Sequence, residues 1–287
     1  MKPAGRRAAE HLPCPAITDL LPRMFDSYLE RWQLAIDGEP VHTHSSDLLP
    51  VLRRGHPAML KIARSSEERS GNLLMAWWDG IGTTPILEHD GPALLMERAA
   101  GEISLAEWAR SSRDDDATRI ICNVAARLHS HRTAPPPEVV PLSAWFRDLV
   151  NGLAAKGPLA AAASAAAELL ATQRDVVVLH GDLHHGNVLD FGDGEWRAID
   201  PKGLQGERAF DFVNILRNPD FETATAPGRL ARQASVIADQ AGVDRQRLIR
   251  WVVAFSGLSA AWHLEEGDRP DLDLAMIEIA TAELGGA

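Results

Sequence analysis

The chain has 287 residues, 45% apolar and 24% charged, a composition that suits a soluble folded protein with one large domain or two modest ones. Its formal net charge of -11 argues against a nucleic-acid binder, which needs a basic face for phosphates, and no apolar run is long enough to span a membrane. Only Cys14 and Cys122 are present, far apart, so no disulfide framework is implied. Because Glu10, His11, Pro13 and Pro15 interrupt the segment after Arg6 and Arg7, no export signal is read, and a cytoplasmic protein is expected.

From Ile17 to Trp32 the residues Leu20, Leu21, Met24, Tyr28 and Trp32 recur at helical spacing, which predicts an amphipathic entry helix. Residues 33–37 and 47–52 read as two strands joined by a polar connection over 38–46. After a turn at Arg54-Gly55-His56-Pro57 comes a strand, Ala58-Met59-Leu60-Lys61-Ile62-Ala63. A lysine within an apolar strand costs several kcal/mol unless something anionic meets it, so Lys61 either faces an anion or snorkels at a strand edge. Residues 65–78 are helical by the spacing of Leu73, Leu74 and Trp77, with Ser65 and Ser66 available as N-cap and Glu67 and Glu68 where the helix dipole favours acids. Residues 84–88 and 93–97, turning through His89-Asp90-Gly91-Pro92, complete an expected five-stranded antiparallel sheet.

The remainder reads as mainly helical: from Leu105, over 117–129, 142–153, the alanine-rich 159–170 with Pro158 in its first turn, 228–241 and 245–262. Residues 203–216 are expected as a loop running into a helix. The acid-rich stretch from Glu265 to Asp273 reads as a loop before the last helix. Its Glu265 and Glu266 belong either to a solvated loop or to the lip of a site for a guanidinium-bearing ligand, which carboxylates bind through paired hydrogen bonds.

The stretch that carries the chemistry lies between the helical regions. Val176 to Leu179 is a β-branched apolar run, His180 to Asn187 a polar loop, and two short strands come next, turning at Gly192-Asp193-Gly194 and ending at Asp200 before Pro201. The open end of that hairpin should bring Asp182 and Asn187 against Asp200. Two carboxylates and a carboxamide meet the needs of phosphoryl transfer, which takes a divalent ion on hard oxygen ligands and a carboxylate to accept the proton of the attacking hydroxyl. A metal cluster of a dinuclear phosphoesterase, using His180, Asp182, His184 and His185, is the rival reading, but the upstream D-x-H it needs is absent near any apolar run. For His184 and His185 singly, local hydrogen bonding in the loop is expected.

The motif H-G-D-x-x-x-x-N followed by a hairpin and I-D resembles that of the aminoglycoside phosphotransferases, relatives of the protein kinases. The segments L-H-G-D-L-H-H-G-N, I-D-P-K-G-L and G-L-S-A-A-W are similar to the branch of streptomycin 6-phosphotransferases and hydroxyurea-resistance kinases. The resemblance spans Trp32 to Ala275. It implies an α+β, two-lobed, protein-kinase-like fold, with a small antiparallel-sheet lobe over 1–100 and a mainly helical lobe over 101–287. It also implies an ATP- (or GTP-) and Mg2+-dependent kinase of a small cationic antibiotic, streptomycin first, with hydroxyurea or another metabolite as alternative acceptor and a nucleotide-binding protein without turnover as a further one. A monomer is expected. Carried over by position, Asp182 is the catalytic base, Asn187 and Asp200 are the metal ligands, and Lys61 meets the nucleotide phosphates. Ser45 and Ser46 either offer donors to phosphate or cap a turn, and backbone groups from Glu97 to Ala99 meet the adenine edge. The family usually pairs the lysine with a glutamate where this chain has Gly71; Glu68, one turn earlier, either takes that part or only caps the helix. His180 and His185 support the loop, and Asp211 is expected to hold the catalytic loop rather than touch the acceptor.

Overall fold

The computed structural model describes residues 17–151 and 159–286; Cys14, the Arg6–Arg7 pair, Pro158 and the side chains of Leu20 and Leu21 lie outside the described residues. The first part of the chain runs α1 (Ile17–Arg31), β1 (Leu34–Ile36), β2 (Val41–His42), β3 (Ser46–Arg53), β4 (His56–Ala63), α2 (Ser66–Trp78), β5 (Ile86–Asp90) and β6 (Ala93–Glu97). These strands make one antiparallel sheet in the order β1-β3-β4-β6-β5, with β2 paired on β3. The sheet therefore has six strands, not five: Val41 and His42, expected in the connecting loop, pair with Leu48 and Asp47. β5 starts two residues later than its apolar pattern suggests, and the hairpin closes on Gly91-Pro92 alone, with Gly91 at φ 57.

Alternation along β3 and β4 explains the packing. Leu49 and Val51, with Ala58, Leu60 and Ile62, turn to a core with Phe25 of α1, while Lys61 and Met59 fall on the other face, towards the rest of the molecule. That opposite face meets Ile199 and Asp200 from the later part of the chain.

The rest comprises α3 (Leu105–Ala109), α4 (Asp114–Leu128), β7 (Val140–Pro141), α5 (Leu142–Trp145), α6 (Arg147–Asn151), α7 (Ala160–Ala171), β8 (Val176–Leu179), β9 (Val188–Asp190), β10 (Trp196–Ala198), β11 (Leu204–Glu207), a 3-10 turn over Arg208–Phe212, then α8 (Val213–Arg217), α9 (Phe221–Ala224), α10 (Arg229–Ala241), α11 (Arg245–Glu266) and α12 (Asp271–Gly285). β9 and β10 form the expected hairpin. β8 pairs instead with β11, at residues expected to be loop; Leu-Gln-Gly-Glu has little strand signal, and the strand exists because its backbone completes the exposed edge of β8. Alanine-rich α7 is a close-packed helix as its composition predicts: a Cβ on Gly257 of α11 would lie 2.3 Å from Ala162 Cβ, so the helices meet nearly backbone to backbone. α11 continues four residues beyond the expected Trp262, and this places Glu265 and Glu266 in its last turn, before the Gly267 cap, rather than in a loop. No helix among the described residues is long and apolar enough to cross a membrane.

Candidate active site

Asp182, Asn187 and Asp200 converge. The loop from β8 to β9 carries the first two, and β10 delivers the third. Hydrogen bonding of Ile199 N–H to the Asn187 carbonyl (2.9 Å) extends the hairpin ladder to its open end. Asn187 Nδ2 donates to the backbone carbonyl of Asp182 at 2.9 Å, which closes the loop and leaves the amide oxygen for other work. Asp200 has φ 63, a left-handed conformation unusual outside glycine and of the kind that aims a side chain at a functional site.

Asp182 is held at Oδ1 by Asn214 Nδ2 (2.9 Å) and remains 30% exposed. Asn214 was not apparent from sequence, because nothing in the local pattern of residues 203–216 says which polar side chain turns back 32 positions. Asp211 behaves as expected of a group that holds the loop. Fully enclosed, it accepts from the backbone N–H of His180 (2.9 Å) and Gly181 (2.7 Å), and from His129 Nε2 (2.7 Å). Burial pushes its carboxyl up, but the hydrogen bond and charge of His129 outweigh that and hold it below the usual carboxylate range. His129, at the C-cap of α4, is a further residue sequence reasoning missed. His180 is buried, donates from Nε2 to the Ile199 carbonyl (2.9 Å) and accepts at Nδ1 from Asp182 N–H (3.3 Å), tying the loop to the hairpin strand. Burial lowers its pKa, so its ring is neutral. His185 is buried too, its pKa pushed down to about 3 by burial and by Arg229, His184 and Arg110, and neither ring nitrogen has a hydrogen-bond partner.

Across the cleft, Lys61 Nζ lies 2.5 Å from Asp200 Oδ1 and is ion-paired with Glu68. Glu68 therefore does more than cap α2, whose N-cap is Ser65, accepting from Glu68 N–H at 3.1 Å. Gly71 has its own reason: a Cβ there would stand 2.4 Å from the Pro201 carbonyl oxygen, so α2 can lie against the Asp200–Pro201 segment only with glycine at that position. Asp200 is pushed up by burial, then more strongly down by the charge and hydrogen bond of Lys61 and by Lys202, and sits below its ordinary value. Lys202 is a second cation at the site, 3.4 Å from Glu67 Oε1; burial pushes its pKa down, but Glu67 first, then Asp182 and Asp200, outweigh that and raise it. The D-P-K sequence carries the signal for it, two positions beyond Asp200.

A model of the aminoglycoside/hydroxyurea antibiotic resistance kinase family matches residues 31–267. The chain belongs to this family. It is 51% identical over 244 residues to streptomycin 3''-kinase of Klebsiella pneumoniae, covering 83% of this chain and 92% of the relative. It is 32% identical to streptomycin 6-kinase of Streptomyces glaucescens over 92% of this chain and 90% of that one. Among solved structures, an aminoglycoside phosphotransferase, APH(4)-Ia, in a ternary complex with ADP and hygromycin B superposes with a TM-score of 0.61 at 11% identity, covering 91% of this chain and 96% of that one, a likeness of fold. The protein-kinase-like architecture expected from the motifs is thus the observed one.

Other expected site residues of this kinase sit differently. The hydroxyls of Ser45 and Ser46 donate to Glu68 Oε1 (2.9 Å) and Oε2 (3.1 Å), so they orient the partner of Lys61 rather than stand open as phosphate donors. Both backbone groups of Glu97 are engaged, its N–H with the Pro85 carbonyl and its C=O with Thr84 Oγ1, and its carboxylate accepts from Arg197 at 3.1 Å. Neither backbone group of Ala99 has such a partner among the described residues. Beside them Met59, Ile86 and Ile199, partly exposed, pack on Met75, Leu94 and Met96, an apolar ledge that strand alternation places on the Lys61 side of β4. Glu265 and Glu266 are exposed and are hydrogen-bonded to nothing in the site.

Proposed function

We propose that this kinase transfers the γ-phosphoryl group of ATP, with Mg2+, to a hydroxyl of streptomycin, as a cytoplasmic monomer. The observation that carries the reading is the convergence of Asp182, Asn187 and Asp200 beneath a lysine clamped between Glu68 and Asp200. The donor set suits a hard divalent ion: the Asn187 amide oxygen, whose nitrogen is already committed, and the Asp200 carboxylate, 40% exposed, would hold it. When bound, Mg2+ neutralises phosphate charge. Lys61, oriented by Glu68 and through it by Ser45 and Ser46, meets the nucleotide phosphates, and the Met59 and Ile199 ledge with the free backbone of Ala99 receives the base. Asp182, fixed by Asn214, accepts the proton of the attacking hydroxyl as the new O–P bond forms and the bond to the β-phosphate oxygen breaks. Lys202 stands where charge accumulates on the phosphates.

The greater identity to a streptomycin 3''-kinase than to a 6-kinase supports the 3''-hydroxyl as acceptor. The test is incubation with ATP or GTP, Mg2+ and a panel of streptomycin, other aminoglycosides and hydroxyurea, with products read by mass spectrometry. Phosphorus–proton correlation NMR then locates the ester. A product carrying phosphate on the 6-hydroxyl overturns the regiochemistry. Binding of nucleotide with no phosphorylated aminoglycoside in the panel overturns the acceptor class.

A further inference from the structure

The catalytic loop contains a histidine with no part in the phosphoryl transfer just described. His184 lies two residues after Asp182, and its Nδ1 accepts a hydrogen bond from Gly186 N–H at 3.0 Å. That bond has two consequences. It fixes the tautomer, because a nitrogen accepting from a backbone N–H carries no proton of its own, so the hydrogen of the neutral ring is on Nε2. It also fixes the ring's direction. Gly186 packs so closely beneath it that a Cβ there would lie 3.0 Å from His184 Cε1. Nε2 then stands 3.8 Å from Asp182 Oδ1, too far for a hydrogen bond, with the side chain 22% exposed.

A donor held by its own loop and aimed beside the catalytic carboxylate, yet bonded to nothing, is arranged for a group that arrives later. Asp182 and Asp200 are both near enough to act on the charge of the ring. On the proposed kinase function, on which this inference rests, the phosphoryl group passes between those two carboxylates. We propose that His184 is a further catalytic residue, donating a hydrogen bond from Nε2 to an oxygen of the phosphoryl group in flight. With Nδ1 accepting from Gly186 N–H, the donor is the neutral imidazole, its one ring N–H at Nε2. It takes no proton from the reaction: the hydroxyl proton goes to Asp182, and the leaving oxygen departs with the nucleoside diphosphate. Its contribution is one preorganised donor where negative charge is spread over the transferring oxygens.

Two variants separate this task from loop support. In His184→Asn the amide oxygen stands close to where Nδ1 was and keeps the Gly186 bond, but nothing replaces Nε2. In His184→Gln the longer side chain returns an N–H near the Nε2 position. The expected result is a kcat about tenfold to a hundredfold lower in His184→Asn, below the loss for an oxyanion donor in a closed site because this one is partly open to water. KM for ATP and streptomycin and the melting temperature should stay near parent values, and His184→Gln should recover much of the rate. In protein carrying 15N-labelled histidine, the Nε2 signal missing from His184→Asn should move when ADP, Mg2+ and aluminium fluoride are added together. Parent kcat in His184→Asn, or an unmoved Nε2 signal, overturns the assignment while leaving the kinase reading intact. Slow transfer to water, followed as phosphate release with no antibiotic present, judges the same donor if streptomycin proves not to be the acceptor: a slower release in His184→Asn supports the role, and an equal one removes it.

Discussion

Asp182 and Asp200 lie together, and the proposed function gives them different work, which substitutions should separate. Asp182→Ala removes the proton acceptor and a long contact from Asn187 Nδ2 (3.4 Å) but keeps the Asn187 bond to the residue 182 carbonyl and leaves Lys61 and Asp200 in place, so turnover should fall by about a hundredfold to ten thousandfold while nucleotide affinity, measured by calorimetry, barely changes. Asp200→Ala should abolish the Mg2+ dependence of nucleotide binding; a variant that still binds ATP tightly and only with Mg2+ would remove Asp200 as a ligand. The neutral His180 ring also makes stability depend on pH. Its folded pKa is depressed, so an unfolded chain takes up a proton near pH 6.5 that the folded one refuses. The stabilisation is complete above that pH and is lost as the pH falls below it. Asp211, likewise depressed, adds a loss only at still lower pH, below the ordinary carboxylate value. Urea unfolding between pH 8 and 5 should therefore show stability falling with acid, and His180→Asn should flatten the slope by up to about 1.4 kcal/mol per pH unit.

At the level of the element, α2 matters through one face. Glu68 and Gly71, three positions apart, point the same way; one reaches Lys61 and the other lets the helix rest on Pro201. An added Cβ would raise helix propensity by up to about 1 kcal/mol, yet it would collide with a backbone oxygen that has no side-chain freedom to retreat. Gly71→Ala should accordingly lose stability by about 1–3 kcal/mol and raise the KM for ATP, since α2 can move only by pulling Glu68 away from Lys61. Thermal melting and nucleotide titration check this, and an unchanged KM would show that the close contact carries no information to the lysine. The hairpin of β9 and β10 is anchored similarly. The Asp190 carboxylate accepts from Ile103 N–H (3.2 Å) and Gly192 N–H (2.8 Å), and its carbonyl accepts from Gly101 N–H (3.0 Å), so the segment after β6 is tied to the strand that comes after Asn187.

For the molecule as a whole, the helical lobe has an extended apolar core and, among the described residues, several buried ion pairs, Arg247–Glu207 and Arg217–Asp273 among them; the most highly connected centres on Asp114. Asp114, at the start of α4, accepts from Arg229 Nε (2.9 Å) and Nη2 (3.0 Å), from Arg232 (2.9 Å) and from Gln233 (2.8 Å), joining α4 to α10. Asp114→Ala would leave the Arg229 guanidinium buried and without its carboxylate, a loss of about 3–5 kcal/mol. Arg229 acts on the His185 ring of the Asp182 loop, but none of these groups is hydrogen-bonded to Asp182, Asn187 or Asp200, so the KM values of the surviving folded protein should stay close to the parent. Chemical denaturation with parallel kinetics tests both halves of that expectation, and a KM change of several-fold would show that the α4–α10 contact is coupled to the cleft.

That Asp182, Asn187 and Asp200 would be brought together was readable in advance because their spacing is local. Asp182 and Asn187 share one loop, Asp200 ends the hairpin after it, and turn chemistry at Gly192-Asp193-Gly194 is enough to bring them together. Local pattern also announced the Lys61 strand and narrowed the N-cap of α2 to Ser65 or Ser66, of which Ser65 takes it. What it left open was every choice made by a distant neighbour. Whether Glu68 pairs with Lys61, why glycine stands at 71, where Ser45 and Ser46 point, which asparagine steadies Asp182, and that residues 204–207 become a strand all depend on surfaces from elsewhere in the chain. Hydrogen bonds, ion pairs and close contacts act over a few ångströms and take no account of sequence separation, so a periodic pattern can say which face of an element is apolar but only the assembled fold decides which polar groups meet across it.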